Sequence, residues 1–207
     1  VTLKDLTVEA LGTTYAWGIR LYNNSDHNTI DGCTVRVPNV TSTSSLNSVG
    51  IVATSSTTST SGISNNCKYL TVQNSVVTGG TSYGPYYGIR INAQSSNTTV
   101  SGIKLINNTI KNFYIYGNYF YNCNDLLFEG NKITRDANYT RISTTYSMYL
   151  ILCLDTKVKN NEIFDLFQSV STTSTFYGIL YTSNTNSTTQ HEVSNNRIYN
   201  NNSRGTW

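Results

Sequence analysis

The sequence predicts an all-β coil of about seven rungs with three short strands in each, and three observations carry that prediction. A six-residue pattern, apolar at both ends with small or amide residues in its middle, recurs seven times. Upstream of it, in six of the repeats, stands a second apolar anchor led by an aromatic or aliphatic residue and, in most copies, a glycine. Between these anchors Val, Ile, Thr and Tyr alternate with polar residues in short runs bounded by Asn and Gly, a period of two and not of 3.6.

The first pattern reads LKDLTV (3–8), IDGCTV (30–35), VQNSVV (72–77), LINNTI (105–110), FEGNKI (128–133), VKNNEI (158–163) and VSNNRI (193–198). Its period varies between 23 and 42 residues, looser than a helical repeat keeps. The upstream anchor reads WGIRL (17–21), VGIVA (49–53), YGIRI (87–91), YGNYF (116–120), YSMYL (146–150) and YGILY (177–181). Each repeat therefore holds one strand after the glycine, a second ending just before the central pair, and a third beginning just after it.

Leu105 and Ile110 both need to face inward, yet they are five apart, a separation that an uninterrupted strand places on opposite faces. One left-handed residue between them corrects the phase, and Gly, Asn and Asp adopt that conformation cheaply. The first position of the pair is Asp5, Gly32, Asn74, Asn107, Gly130, Asn160 or Asn195, always one of those three types. The second position ends in Asn108, Asn131, Asn161 and Asn196, which at the ~4.8 Å spacing of neighbouring strands form a side-chain ladder.

These asparagines resemble those at the tight turn of the right-handed parallel β-helix proteins, the pectin-lyase-like superfamily. The resemblance runs from VTLKDLTV to VSNNRIYN and implies that fold for the chain. It leaves activity open, since the superfamily holds polysaccharide lyases, glycoside hydrolases, tailspikes, adhesins and structural modules. In its enzymes substrate lies on the outer face of the first sheet, here the glycine strands. The acids with which pectate lyases hold calcium there are missing, and of the polygalacturonase signatures NTD, DD, GHG and RIK only the fragment GIRI (88–91) has a counterpart.

In the same register opposite charges stack: Lys132, Glu162 and Arg197; Glu129 with Lys159; Lys157 with Glu192; and Arg135 facing Asp165. Asp125 and Asp155 break the pattern as like charges on adjacent rungs, with Asp26 and His27 near. They are either solvated turn residues or the paired carboxylates of a glycosidase or calcium site. Cys67, Cys123 and Cys153 share a column with Val100, expected to pack inward, with a Cys123–Cys153 bridge within geometric reach.

The candidate binding residues lie on the glycine strands. Trp17, Tyr87, Tyr116, Tyr146 and Tyr177 form one column, and Arg20, Arg90, Tyr119 and Tyr149 belong to a second that points outward. Flat rings stack on the apolar faces of sugars and the arginines can hold acidic groups, so glycans are the expected partners; self-packing of the rings is the structural alternative.

A charged share of 12%, about half the usual, and a diffuse net charge of +3 argue against nucleic acid. No apolar run approaches the ~20 residues of a membrane helix, so no membrane insertion is expected. The cysteine and histidine spacing suits no metal site, and no cofactor is expected. Sequons at Asn23, Asn39, Asn97, Asn107, Asn138, Asn186 and Asn201 hint at a secreted setting. The inserts at 54–66, 92–102 and 182–190 are small and polar and decorate one side of the rod. The expectation is one domain over 1–207, cut from a longer extracellular, cell-surface or virion-surface protein. Its role is read as structural or adhesive, with trimerisation or end-to-end filaments as its assembly. The alternative is a polysaccharide-degrading enzyme using Asp125 and Asp155.

Overall fold

The computed structural model describes residues 1–22, 25–62, 67–93, 100–168, 174–182 and 190–201. Sequons Asn23, Asn97 and Asn186, and most of the inserts at 92–102 and 182–190, lie outside the described residues. Among the described residues there are strands and no helices, and hence no helix long and apolar enough to cross a membrane.

Twenty strands follow one another as a coil. The second strands of the repeats are β1 (Thr2–Lys4), β4 (Thr29–Asp31), β7 (Thr71–Gln73), β10 (Ser101–Ile106), β13 (Asn124–Glu129), β16 (Leu154–Lys159) and β19 (Glu192–Ser194). The third strands are β2 (Thr7–Glu9), β5 (Thr34–Arg36), β8 (Val76–Thr78), β11 (Thr109–Lys111), β14 (Lys132–Thr134), β17 (Glu162–Phe164) and β20 (Arg197–Tyr199). The glycine strands are β3 (Ala16–Leu21), β6 (Ser48–Ala53), β9 (Tyr87–Asn92), β12 (Tyr116–Tyr121), β15 (Thr145–Ile151) and β18 (Phe176–Thr182). Each set forms one parallel sheet, of seven, seven and six strands, with nearest neighbours one coil apart. The chain is thus a parallel β-solenoid of about six full turns. Against the seven rungs expected, the described residues hold seven second strands, seven third strands and six glycine strands.

The tight corner forms as the residue types dictate. Asp5, Gly32, Asn74, Asn107, Gly130, Asn160 and Asn195 all have φ between 51° and 67°. Both flanking aliphatics consequently point inside: Leu105, Phe128 and Val158 on one wall and Ile110, Ile133 and Ile163 on the other are fully buried. The next residue forms the ladder. Asn108 Nδ2 donates to Asn131 Oδ1 at 3.0 Å, Asn131 to Asn161 at 3.0 Å, and Asn161 to Asn196 at 2.9 Å. Each oxygen also accepts the backbone N–H of the neighbouring coil's asparagine, and each amide also donates to a carbonyl such as Leu105 O, 2.8 Å from Asn131 Nδ2.

In the glycine strands two consecutive positions face the interior. A Cβ on Gly18 would sit 2.3 Å from Val35 Cγ1, and one on Gly50 2.2 Å from Val77 Cγ1, while Ile19 and Ile51 beside them belong to the core. A very small residue, glycine in five coils and Ser147 in one, lets the sheet approach so closely. Asn118 disturbs this wall. It pairs with Ile89 on one side and Met148 on the other, is fully buried, and finds no hydrogen-bond partner among the described residues for either end of its amide.

Of two charge pairings read from the columns, one forms and one does not. Glu129 and Lys159 meet at 3.5 Å as their column requires. Arg135 does not reach Asp165; it is buried and donates to the Phe113, Tyr114 and Leu166 carbonyls and to Thr145 Oγ1, because the turn after β14 carries it beneath the corner where those carbonyls lack strand partners. Burial lowers its pKa to about 10. All four cysteines are buried and outside any disulfide, so Cys123 and Cys153 pack side by side as thiols and not as a bridge. Burial pushes the Cys67 thiol up to about 12.

Two substitutions test this account by chemical denaturation. Asn131→Ala removes bonds to two coils and leaves buried polar groups unpaired, and should cost about 3 kcal/mol or more. Asn118→Leu replaces an unsatisfied amide by a near-isosteric aliphatic and should stabilise by about 1–3 kcal/mol.

Candidate functional site

Because Gly18 and Ile19 both turn inward, Trp17 and Arg20 both emerge on the outer face, and every coil repeats the shift. Two columns result. Trp17, Val49, Tyr87, Tyr116, Tyr146 and Tyr177 stand in register. So do Arg20, Val52, Arg90, Tyr119, Tyr149 and Leu180.

In the first column the rings stack face to face: Tyr87 on Tyr116 at 5.0 Å, Tyr116 on Tyr146 at 4.8 Å, and Tyr146 on Tyr177 at 4.7 Å and 5°. Tyr119 crosses edge-on, 5.3 Å from Tyr116 and 5.7 Å from Tyr149. Such offset and edge contacts are the arrangements that aromatic quadrupoles favour.

The face is not uniformly open. The insert after β6 folds back over its middle, where Thr60 accepts Arg90 Nη1 at 3.0 Å and Ser61 O accepts Asn92 Nδ2 at 2.9 Å. Val49, Val52, Tyr87 and Arg90 are buried beneath it. Arg90, expected beside open rings, instead lies with its guanidinium 4.4 Å from the Tyr87 ring and 4.9 Å from that of Tyr119. Beyond the insert Tyr116, Tyr119, Tyr146 and Tyr149 are half-buried and Tyr177 is exposed. On the near side Trp17 donates to Asn47 O at 3.0 Å, and Tyr15, Trp17, Thr57 and Thr58 line a cleft of about 400 Å³. Arg20 lies 4.2 Å over Tyr22 and 5.8 Å from Trp17.

The strip carries no charge at ordinary pH. Burial raises the phenol of Tyr87 to about 12 and moves Tyr86, Tyr116, Tyr119 and Tyr146 the same way, the neighbouring phenols adding to the effect on Tyr116. Neutral hydroxyls on flat rings can stack against and hydrogen-bond a sugar without a counter-ion.

Asp125 and Asp155 lie elsewhere, on β13 and β16, in a sheet that the rings do not share. Both are exposed, with φ of 50° and 46°. They continue a column of left-handed residues, His27, Tyr69 and Gly102, that sequence reasoning did not find. Asp155 Oδ1 accepts the Gln190 N–H at 3.4 Å, and the Asn124 side chain accepts the Asp125 N–H at 2.9 Å. Asp is among the residue types that tolerate this conformation, which gives both a backbone role.

No protein-family model matches the chain, and no curated protein matches it. Among solved structures, PfbA, a surface adhesin of Streptococcus pneumoniae, superposes with a TM-score of 0.59 over 99% of this chain and 50% of its own, at 18% identity. A further structure of the same S. pneumoniae surface protein and adhesin aligns with a TM-score of 0.48 over 95% of this chain and 65% of its own, at 12% identity. The chain therefore spans half the length of the first of these. The likeness is one of fold.

Tyr87 and Tyr139 both have folded pKa values of about 12 against an ordinary 10.0. A group whose folded pKa is raised contributes stability that is complete below its unfolded value and lost as pH climbs through the folded one. The denaturation midpoint should hold up to about pH 10 and fall between about pH 10 and 12, and phenolate absorbance should show these tyrosines ionising only in that upper range.

Proposed function

We propose that the chain is a rigid, non-catalytic adhesive module of a secreted or surface-displayed protein, cellular or viral, and that it holds glycans along its open tyrosine face. The observation that carries this reading is the double column of Tyr116, Tyr119, Tyr146, Tyr149 and Tyr177, partly exposed and with neighbouring rings 4.7–5.7 Å apart. A lattice of rings held by parallel strands is already in its bound geometry, so little ordering entropy is lost when a ligand stacks. The fold shared with a surface adhesin supports the adhesive part of the reading.

A glycan array followed by titration tests it. Binding without turnover is expected on a polysaccharide panel, and Tyr146→Ala with Tyr149→Ala should weaken it about tenfold or more by removing two stacking surfaces. Depolymerisation that disappears in Asp155→Asn would instead establish the enzymatic reading.

A further inference from the structure

A second cleft, of about 570 Å³, opens where the third strands turn toward the glycine strands, and Arg36, Thr78, Tyr83, Lys111, Asn112 and Asp136 line it. Arg36, Thr78 and Lys111 stand side by side on β5, β8 and β11. Two strand spacings separate the two cations, about 10 Å at the backbone, with the uncharged threonine between them.

Each cation has a carboxylate partner, Glu9 outside the cleft and Asp136 in its wall. Glu9 on β2 pairs with Arg36 from the preceding coil. Asp136 takes Lys111 Nζ at 3.0 and 3.1 Å from the following side. The space over Thr78 is flanked by Arg36 on one side and by the Lys111–Asp136 pair on the other. Donors remain to serve it. A guanidinium carries five N–H groups and an ammonium three, and these contacts use one of Arg36 and two of Lys111.

The cleft is also held in shape. Asn112, buried and left-handed at φ 55°, donates to Gly80 O at 3.0 Å and to Asp136 Oδ2 at 2.8 Å, and accepts the Asp136 N–H at 2.9 Å. That single side chain joins the loop of one coil to the acid of another. Tyr83, exposed, offers a ring wall, while Asn39, Thr81 and Ser82 bring amide and hydroxyl groups to the rim. The volume exceeds what a bare anion fills, and the walls suit a ring bearing hydroxyls.

We propose that this cleft is a subsite for an acidic saccharide, its carboxylate or sulfate seated over Thr78 between Arg36 and Lys111. It lies apart from the tyrosine face and stands whether or not glycans stack there.

Calorimetric titration of the whole chain tests it with four probes: a heparin-derived tetrasaccharide, a hyaluronan tetrasaccharide, cellotetraose and sodium sulfate. At least one acidic tetrasaccharide should bind, more weakly as salt rises, and which one does distinguishes sulfate from carboxylate. Arg36→Gln with Lys111→Gln should lower that affinity about tenfold or more, since both charge-assisted contacts are lost. Ser82→Asp, at an exposed rim position, should weaken it as well while leaving both cations in place. Tyr146→Ala with Tyr149→Ala should leave it unchanged. Any of four results overturns the proposal: neither acidic sugar binds; the Arg36/Lys111 variant binds as before; the tyrosine variant abolishes binding; or sulfate alone matches the tetrasaccharides.

Discussion

One left-handed residue per coil is the constraint on which everything else depends. It brings both walls of the corner inward, and in doing so it buries the amide or hydroxyl that follows it, a group that is costly unless bonded. The chain answers by bonding that group across coils: Asn131 Oδ1 takes two bonds from Asn108, and its amide spans to Leu105 O and to Asn161. Where the asparagines end the pattern continues in smaller form. Ser75 donates its N–H to Asn108 Oδ1 at 3.0 Å, and its own hydroxyl oxygen accepts the Cys33 N–H at 3.0 Å. A slip of one residue in any coil breaks this column, so the ladder that satisfies the corner also fixes the register of all three sheets.

Fixed register turns sequence columns into physical ones. The parallel strands set a spacing of about 4.8 Å, and the tyrosine stacks at 4.7–5.0 Å follow it. The backbone therefore imposes near face-to-face stacking on one column, and beside it Tyr119 lies edge-on while Tyr149 lies nearly parallel to Tyr116 and Tyr146. The inward glycines make this possible. By drawing the sheet against Val35 and Val77 they spend two positions on the interior and leave residues three apart in sequence side by side outside.

What could be read from sequence was whatever recurs once per coil in a restricted set of residue types. The pair in LINNTI was legible because only Asp, Gly and Asn occupy its first position. The second left-handed column was not, because His27 and Tyr69 occupy it as readily as Gly102, and its remaining members, Asp125 and Asp155, then stood out as acids. Arg135 aligned with Asp165 by column, but a long side chain ends far from its Cα, and carbonyls at the corner claimed it. The burial of Arg90 came from the insert, whose Ser- and Thr-rich sequence has no period from which its path could be inferred.

Burial dominates the titration of several described residues. Tyr87, Tyr139, Cys67 and Arg135 are all shifted first by burial, toward their neutral forms. Burial of phenols along a stiff face produces flat, hydroxyl-tipped surfaces repeated at a fixed interval. On such a surface each contact to an extended ligand would be small and already positioned, so affinity would grow with the number of rungs engaged.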